Sequence, residues 1–450
     1  MAGSSLTIGL APGSRVQGVF RPGGSKSMAQ RALFCAAVAR GATEIEGLPD
    51  GDDVRAARAL LAALGVACEP AGARAVRVHG APPGAAAGLA PHEHAAVGES
   101  GTLARLATAL LALASRPGTR WTIAASGSLL FRRSAPLFAA LQRAGVELAL
   151  QNLPGTWPVE LVSVAPPSEL TLVDPISSQE VSGLLLALAA HPEERVLYVR
   201  GRIPSEPYLG MTTALLAAFG ASIVQEPGEL GAGKRRFSVR GPLCAPRAPL
   251  VLEPDASSAA VALAAACLSG GELEVPGLGP ESLQGDVRIL AHLAAFGCTV
   301  RSGPHGLAAR GFPARGAELD LAGEPDLAPV LAAVSAGAAL RHGATSVLAG
   351  LGTLPGKESD RLSVLAAGLS ALGLVVEAGA TSLRIAPARG ATPKAGFVLD
   401  PRGDHRMALA FALLGLLVPG VLVGNAECVA KSWSTFWGDL EQLGAVLVRA

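Results

Sequence analysis

A helix-like hydrophobic run that ends in a glycine and leads into β-branched residues recurs along the chain. It is LLAALGVACE in the first quarter, LLAAFGASIV near the middle and LSALGLVVE in the second half. The glycines that end these runs are Gly65, Gly145, Gly220, Gly297, Gly373 and Gly444, separated by 80, 75, 77, 76 and 71 residues. A glycine just past a helix end closes the last turn in the left-handed conformation before a strand begins. The pattern therefore predicts six copies of one structural unit.

A second helix in each copy is rich in Ala and Leu and opens with a small polar or acidic residue. These opening residues are Ser27, Ser100, Ser177, Ser257, Asp326 and Asp404. Such residues cap helices because their side-chain oxygens accept hydrogen bonds from backbone N–H groups of the first turn. We therefore predict a strand–helix–strand–helix–strand unit, used six times and grouped as two domains of three units.

Proline and glycine mark the predicted boundary between the two domains. The segment 240–254, RGPLCAPRAPLVLEP, interrupts the periodic pattern as a hinge does. The first residues, about 1–18, form a predicted strand outside the repeat, which we assign to the C-terminal domain. The predicted domains are therefore 19–243 and 1–18 plus 244–450.

The most hydrophobic stretch is 407–424, which is uncharged and close to the shortest length that spans a membrane. Pro419 and Gly420 interrupt it, and it follows directly on Asp404, His405 and Arg406. We therefore predict a buried helix followed by a strand.

Composition limits what the chain can bind. Of its 450 residues, 50% are hydrophobic but only 4% are aromatic, so the core must be built largely from Ala, Leu and Val. The formal net charge of +1 provides no global field for nucleic acid or an acidic membrane surface, so anion binding must be local. The six cysteines include no CxxC pair, and the first residues have neither a basic region nor a long apolar run, so we expect no secretory signal and buried free thiols in a cytoplasmic protein.

Cations recur at predicted helix N-termini, where exposed N–H groups favour anions. Lys26, Ser27 and Arg31 follow the glycines of PGGSKS, and Arg105 ends the segment ESGTLAR. Further polar groups are Ser177-Ser178-Gln179, the segment KESDR at 357–361 and the segment DHR at 404–406. The spacing of Lys357 and Arg361 places both on one helical face.

The order of these motifs carries more information than any one of them. GSKSMAQRAL, SGTLAR, SSQ, SEPY, PD, KESDR, DHRMA and a late AKS follow one another along almost the whole chain. In this order they resemble the 3-phosphoshikimate 1-carboxyvinyltransferase family, also called EPSP synthases. The resemblance implies an α/β fold with two domains, each an inverse α/β barrel of three βαβαββ repeats, and an active site in the interdomain cleft.

The resemblance also implies the roles of individual residues. The residues implied to bind shikimate 3-phosphate are Lys26, Ser27, Arg31, Ser177, Ser178, Gln179, Ser205, Tyr208, Asp326 and Lys357. Those implied to bind phosphoenolpyruvate are Lys26, Gly101, Arg132, Gln179, Arg361, Arg406 and Lys431. Arg132 is matched only by counting back from Gly145, and the neighbouring Arg133 is the alternative. Two substrates that each carry a phosphate and a carboxylate require several fixed cations.

The family's reaction adds the 5-hydroxyl of the acceptor to C2 of phosphoenolpyruvate and then expels phosphate. It needs a base at the hydroxyl and an acid at C3, so two carboxyl groups in different surroundings are expected. The resemblance assigns Asp326 to the hydroxyl proton, and Glu358, together with Lys26, to the proton at C3. No metal or cofactor is expected, since protonation and fixed charge activate the donor. Glyphosate is expected to compete with phosphoenolpyruvate.

This chain departs from the family pattern at several points. PGGSKS contains an additional glycine, Glu99 replaces a usual asparagine, and Thr353-Leu354-Pro355 precedes the KES motif. Two other functions therefore stay open: the same chemistry on another acceptor, as in UDP-N-acetylglucosamine enolpyruvyl transferases, or a non-catalytic anion-binding homologue. We expect a monomer that binds neither nucleic acid nor membrane.

Several other features favour structural roles. Segment 228–234 matches GxxxxGK but has Arg235 where a phosphate-binding loop needs Ser or Thr, so we predict a hairpin tip followed by a strand. His92 and His94 are predicted loop residues rather than metal ligands. Trp433 and Trp437 are predicted to pack the last helix on the core, and His405 to have a secondary role in the cleft.

Overall fold

The structure is a computed structural model, and it describes residues 6–80, 93–227, 233–388 and 396–450. The helices are α1 (Lys26–Val38), α2 (Asp52–Ala63), α3 (Gly101–Ala114), α4 (Ala135–Arg143), α5 (Ser178–Ala189), α6 (Pro207–Ala218), α7 (Ala256–Ser269), α8 (Ile289–Ala295), α9 (Ala328–His342), α10 (Arg361–Ala371), α11 (His405–Gly415) and α12 (Phe436–Gln442).

The strands are short and alternate with these helices. They are β1 (Ile8–Leu10), β2 (Gly18–Val19), β3 (Gly41–Glu46), β4 (Ala67–Gly72), β5 (Ala75–Gly80), β6 (Glu93–Ala96), β7 (Arg120–Ala124), β8 (Glu147–Leu150), β9 (Val159–Val162), β10 (Glu169–Val173), β11 (Arg195–Arg200), β12 (Ser222–Pro227), β13 (Lys234–Arg240), β14 (Leu250–Val251), β15 (Glu272–Val275), β16 (Thr299–Gly303), β17 (Gly306–Arg310), β18 (Glu318–Asp320), β19 (Ser346–Ala349), β20 (Val375–Ala378), β21 (Leu383–Ala386), β22 (Phe397–Leu399), β23 (Val421–Val423) and β24 (Leu447–Arg449).

The chain forms two compact units. The N-terminal unit is Gly24–Leu252, and the C-terminal unit combines the described residues up to Gly23 with Glu253–Ala450. Among the described residues, the N-terminal unit has the four-stranded sheets β14-β3-β5-β4, β6-β7-β9-β8 and β10-β11-β13-β12. Those of the C-terminal unit are β16-β17-β15-β2, β18-β19-β21-β20 and β22-β23-β1-β24. The domain limits predicted from the sequence, 19–243 and 1–18 plus 244–450, stay a prediction.

The repeating unit is βαβαββ, with one parallel and two antiparallel pairings. The order β6-α3-β7-α4-β8-β9 is one example, in which β6 is parallel to β7 and β9 is antiparallel to both β7 and β8. Two repeats take their first strand from elsewhere in the chain, because β14 pairs with β3 and β2 pairs with β15. β1 pairs with β23 and β24, two strands near the C-terminal end of the chain.

The six repeat glycines all lie just past a helix end, as predicted. Their φ angles are between 78° and 100°, a region that residues with a Cβ rarely occupy. The predicted helix starts are confirmed at Ser100, Ser177 and Asp404, whose side chains accept from N–H groups of the first turn.

The other three predicted caps are wrong. Ser25, rather than Ser27, caps α1, and Asp255, rather than Ser257, caps α7. In both helices a capping residue already stands two positions earlier, so the predicted serine lies inside the first turn. Asp326 lies in a 3-10 turn, Pro325–Leu327, that precedes α9, so its carboxylate is available for other contacts.

Each unit has its own hydrophobic core, built mainly from small aliphatic side chains. In the N-terminal unit α1, α3 and α5 are almost entirely buried. A Cβ at Gly183 of α5 would lie 2.7 Å from the carbonyl oxygen of Arg105 in α3, so only glycine permits this close packing. The prediction of buried thiols is wrong for Cys244, which is exposed in the proline-rich segment after β13, whereas Cys35, Cys267 and Cys298 are buried.

The hydrophobic stretch 407–424 forms most of α11 and strand β23, as predicted. Within the described part of the chain, no helix is both long and apolar enough to cross a membrane. Trp433 is buried in the core of the C-terminal unit and stacks on Phe20 with ring centroids 4.9 Å apart, and Trp437 packs against the same core, which confirms their packing role.

The GxxxxGK segment and the pair His92 and His94 lie partly outside the described residues. The predicted strand after the GxxxxGK segment is confirmed as β13, whereas 228–232 lie outside the described residues. His92 also lies outside them, and the loop prediction is wrong for His94, which is exposed within strand β6.

Candidate active site

Three helix N-termini lie side by side in the N-terminal unit. They belong to α1, α3 and α5, whose caps are Ser25, Ser100 and Ser177. The Gln30 side chain donates to the Ser100 hydroxyl at 2.8 Å, which joins α1 to α3. The Gln179 side chain donates to the Thr102 hydroxyl at 2.8 Å, which joins α3 to α5. Because each helix start offers N–H groups and a positive dipole end, their grouping suits a bound anion.

The first turns of α1 carry the cations that the sequence predicted. Lys26 Nζ lies 2.9 Å from an oxygen of Asp53 at the start of α2. Arg31 is 1% exposed, its Nε donates to Thr212 Oγ1 at 2.7 Å, and its Nη1 donates to the carbonyl of Ser27 at 2.9 Å. Its Nη2 is buried and has no hydrogen-bond partner among the residues that the structure describes.

The buried guanidinium of Arg31 remains a cation. Burial lowers its pKa to about 10, although Tyr208 and Cys35 oppose the shift. Since leaving a buried donor without an acceptor is unfavourable, an anionic ligand oxygen at Nη2 would remove that cost.

The start of α3 brings a second group of predicted residues together. A Cβ at Gly101 would lie 2.6 Å from Nη1 of Arg132, so the glycine allows this guanidinium to lie against the helix start. Arg132 is buried, whereas the side chain of Arg133 is exposed. Arg105 donates to Gln179 Oε1 at 3.1 Å and to the carbonyl of Arg133 at 2.8 Å. It therefore connects the segment that contains Arg132 and Arg133 to α5.

Ser178 is buried in the first turn of α5, and Ser205 and Tyr208 lie at the start of α6. Thr212 connects these helices, because its hydroxyl is 2.7 Å from that of Ser182 and donates to the carbonyl of Tyr208 at 3.1 Å. Ser205 has a positive φ of 53°, and its carbonyl accepts from Tyr208 N at 3.2 Å. The helices α5 and α6, which carry these predicted residues, are thus joined by a hydroxyl contact.

In the C-terminal unit, Asp326 is surrounded by three cations. One of its oxygens lies 3.1 Å from Lys357 Nζ and 2.9 Å from Arg361 Nη1. Its other oxygen lies 3.4 Å from Arg406 Nη2. All four residues were predicted from the sequence, and the fold places them in one cluster.

Arg361 is the most buried member of this cluster, with 1% of its side chain exposed. Its Nη2 is 2.6 Å from Glu358 Oε2, and its Nε is 2.7 Å from Asp404 Oδ2. Asp404, whose side chain is 0% exposed, was predicted only as a helix cap. Arg361 therefore holds three carboxylates, those of Asp326, Glu358 and Asp404.

The cations determine how Asp326 titrates. Burial alone raises the pKa of its carboxyl group, but Arg406, Lys357 and Arg361 outweigh that effect and hold the pKa well below its usual range. The reverse holds for Arg361: burial lowers its pKa, but Asp404, Glu358 and Asp326 raise it above its ordinary value. Asp326 is therefore ionised at every working pH.

Asp286, which the sequence analysis missed, lies next to this cluster. It is 2% exposed; one oxygen accepts from the Ser257 hydroxyl, and the other is buried without a hydrogen-bond partner in the described part of the chain. Ser257 Oγ in turn accepts from Arg406 Nη2 at 3.1 Å. Burial raises the pKa of Asp286 to about 6; Arg406 opposes this shift, and Asp326 adds to it.

We expect Asp286→Asn to stabilise the protein increasingly as pH rises from 4 to about 6. The native carboxyl has a pKa of about 6 and the unfolded one about 3.8, so between these values only the native state holds the proton and wild-type stability falls with rising pH. Asparagine removes this loss, a gain of about 3 kcal/mol above pH 6. Urea unfolding of both proteins at pH 4, 6 and 8 measures the difference. A gain in the free energy of unfolding that is the same at all three pH values would contradict the expectation.

Lys431 and His405 are buried in the same unit. Lys431 ends the 3-10 turn Ala426–Lys431, and His405 opens α11 with its Nδ1 3.9 Å from Asp404 Oδ1. The role predicted for His405 stays a prediction. The residues that the structure describes include no group of three or more His, Cys, Asp and Glu side chains placed to hold a metal ion.

The fold and the two clusters define an α/β protein that gathers cations at helix N-termini, an arrangement suited to small anions. The model of one family, EPSP synthase (3-phosphoshikimate 1-carboxyvinyltransferase), matches residues 10–440. The chain belongs to the EPSP synthase family.

Similar proteins cover almost the whole chain. A 3-phosphoshikimate 1-carboxyvinyltransferase of Thiobacillus denitrificans is 34% identical over 96% of this chain and 97% of its own length. One of Methanoculleus marisnigri is 35% identical over 92% of this chain and 94% of its own length. Among solved structures, an EPSP synthase of Acinetobacter baumannii has a TM-score of 0.76 at 23% identity, covering 99% of this chain and 100% of that one. The enolpyruvyl transferase NikO of Streptomyces tendae has a TM-score of 0.73 at 21% identity, covering 99% of each chain. These two structures share the α/β fold.

Proposed function

We propose that this chain transfers the enolpyruvyl group of phosphoenolpyruvate to the 5-hydroxyl of shikimate 3-phosphate, giving 5-enolpyruvylshikimate 3-phosphate and phosphate. Membership of the EPSP synthase family supports this reaction. The observation that carries it is the Asp326 carboxylate held by Lys357, Arg361 and Arg406, because it combines an ionised base with three cations for anionic substrates.

The residues that we assign to phosphoenolpyruvate supply positive charge and backbone N–H groups. We assign to this substrate Lys26, Gly101, Arg132, Gln179, Arg361, Arg406 and Lys431. The contact of Arg132 with Gly101 supports a cation at a helix start, where a phosphate or carboxylate can accept from both. Arginine suits this task because its planar donor fork matches either group.

The residues that we assign to shikimate 3-phosphate mostly carry hydroxyl groups or positive charges. We assign to it Lys26, Ser27, Arg31, Ser177, Ser178, Gln179, Ser205, Tyr208, Asp326 and Lys357. The buried Nη2 of Arg31 supports the assignment of an anionic group to α1. Ser177 and Ser178 at the start of α5 suit a phosphate, which accepts from hydroxyls and N–H groups together.

The reaction proceeds by addition and then elimination. The 5-oxygen of the acceptor bonds to C2 of phosphoenolpyruvate while its proton passes to Asp326 and a proton adds at C3. The C2–O bond to phosphate then breaks, the departing phosphate takes up the proton that came from the acceptor hydroxyl, and C3 loses a proton to form the enol ether. Glu358 and Lys26 serve the proton at C3.

The low pKa of Asp326 fits a base that strengthens when substrate binds. In the protein alone, Lys357, Arg361 and Arg406 stabilise its negative charge. Substrate phosphates and carboxylates that bind these cations offset their field, which raises the pKa of Asp326 and makes it a better proton acceptor.

We further propose that residues 19–243 and 1–18 plus 244–450 act as two domains. The protein works as a cytoplasmic monomer without cofactor, nucleic acid or membrane partner. Glyphosate competes with phosphoenolpyruvate.

An acceptor comparison tests the function. Purified protein is mixed with phosphoenolpyruvate and either shikimate 3-phosphate, shikimate or UDP-N-acetylglucosamine, and phosphate release is followed. Release that requires shikimate 3-phosphate supports the proposal. Release only with UDP-N-acetylglucosamine would indicate the same chemistry on another acceptor, and none at all would indicate a non-catalytic homologue.

Arg132→Ala is expected to raise the KM for phosphoenolpyruvate by about a hundredfold, because a charge-assisted bidentate contact to an anion contributes about 2 to 3 kcal/mol. Arg133→Ala, the matched control, is expected to change that KM less than about twofold, because its side chain is exposed. Steady-state kinetics at saturating shikimate 3-phosphate decide between them. The opposite ranking would transfer the role to Arg133.

A further inference from the structure

Glu180 is a buried carboxylate in the first turn of α5 to which neither the motifs nor the proposed reaction assigns a role. Its exposure is 0%. Oε1 accepts from the Ser134 hydroxyl at 2.6 Å, and Oε2 accepts from the backbone N–H of Ile176 at 2.9 Å. Both oxygens are therefore hydrogen-bonded.

The two donors belong to two different segments that carry proposed substrate residues. Ser134 ends the segment that contains Arg132, and its own side chain is fully buried. Ile176 precedes Ser177, the cap of α5. Glu180 thus ties the Arg132 segment to the start of α5.

Arg105 holds the same segment from a second direction. Its Nη2 donates to the carbonyl of Arg133 at 2.8 Å, and its Nη1 donates to the carbonyl of Gly101 at 3.0 Å. Burial raises the pKa of Glu180, and the charge of Arg105 together with the hydrogen bonds from Ser134 and the backbone opposes that rise. Burying a carboxylate costs desolvation energy, which its hydrogen bonds offset only when they are well aligned. The contacts of Glu180 therefore fix the Arg132 segment and the start of α5 relative to each other.

We propose that Glu180 is a positioning residue for phosphoenolpyruvate binding, which fixes the segment 132–134 on α5 and so holds the Arg132 guanidinium against Gly101. This inference rests on the proposed function, since it acts through the proposed contact of Arg132 with phosphoenolpyruvate.

The expected signature is a selective rise in one KM. Glu180→Ala raises the KM for phosphoenolpyruvate about tenfold and changes kcat less than about twofold, because the chemistry residues are untouched. The KM for shikimate 3-phosphate changes less than about twofold, because Ser177 still caps α5 through Gln179 N. Glu180→Gln keeps one acceptor oxygen, so its KM for phosphoenolpyruvate lies between those of the wild type and Glu180→Ala. Glu169→Ala, an exposed glutamate on β10, is the control and changes nothing.

A double-mutant cycle with Arg132 distinguishes positioning from a general structural role. If Glu180 acts through Arg132, Glu180→Ala has no further effect on the KM for phosphoenolpyruvate once Arg132 is alanine. The same tenfold rise in both backgrounds would overturn the inference. Should Glu180→Ala not fold, Ser134→Ala removes one bond from the opposite side, with an expected rise of about threefold; an unchanged KM would overturn it.

The outcomes separate the inference from the function on which it rests. A wild-type protein without transfer activity disproves the proposed function and the inference with it. An active wild type in which Arg132→Ala raises the KM for phosphoenolpyruvate but Glu180→Ala and Ser134→Ala do not disproves the inference alone.

Discussion

Replacing Asp326 by asparagine lowers kcat by about three orders of magnitude, because the amide cannot accept the hydroxyl proton. The substitution keeps the size of the side chain and leaves Glu358 and Asp404 to balance the buried charge of Arg361. Steady-state phosphate release at saturating substrates measures the loss. Thermal unfolding, expected to change by only a few degrees, shows that the protein is still folded.

Asp400→Asn is the matched control, since Asp400 is exposed and pairs only with Arg402 among the ion pairs of the described residues. Its kcat should equal that of the wild type. An Asp326→Asn protein with more than about a tenth of wild-type kcat would remove Asp326 from the proton transfer and leave it a binding role.

Arg361→Met lowers the free energy of unfolding by about 3 to 5 kcal/mol, the usual cost of removing one partner from a buried ion pair. The substitution leaves the carboxylate of Asp404 buried and that of Glu358 nearly so, without the guanidinium that both contact. Urea unfolding at pH 7 measures the change.

The exposed pair Arg384 and Glu377 provides a control for Arg361. Arg384→Met is expected to cost less than about 1 kcal/mol, because exposed ion pairs contribute little. A loss of similar size in the Arg361 and Arg384 variants would contradict the view that buried charge balance holds the Asp326 cluster together.

The sequence predicts well those features that depend on local chemistry. The repeat glycines could be placed because a helix end followed at once by a strand requires a left-handed residue, and all six have that conformation. The residues of the C-terminal cluster could be named because PD, KESDR and DHR follow one another in the order that resembles the EPSP synthase family. Ser100, Ser177 and Asp404 were recognised as caps because cap and acceptor N–H are only two or three residues apart.

Features that depend on contacts distant in sequence could not be predicted. Asp404 contacts Arg361 across 43 residues, and Glu180 contacts Ser134 across 46. The exchange of β2 and β14 between repeats could not be predicted from the sequence either. β2 directly precedes α1 but pairs with β15, and β14 directly precedes α7 but pairs with β3. Arg132 and Arg133 are chemically equivalent in the sequence, and only the direction of each side chain in the fold distinguishes them.

Single-turnover transfer of labelled carbon tests the proposed reaction most directly. Excess protein is mixed with shikimate 3-phosphate and phosphoenolpyruvate carrying carbon-13 at C2, and the quenched products are examined by carbon and phosphorus NMR. The proposal predicts that the labelled carbon becomes bonded to the 5-oxygen of the acceptor as an enol ether, with one inorganic phosphate formed for each transfer. Labelled pyruvate together with a newly phosphorylated acceptor would show phosphoryl transfer instead, and would contradict the proposal.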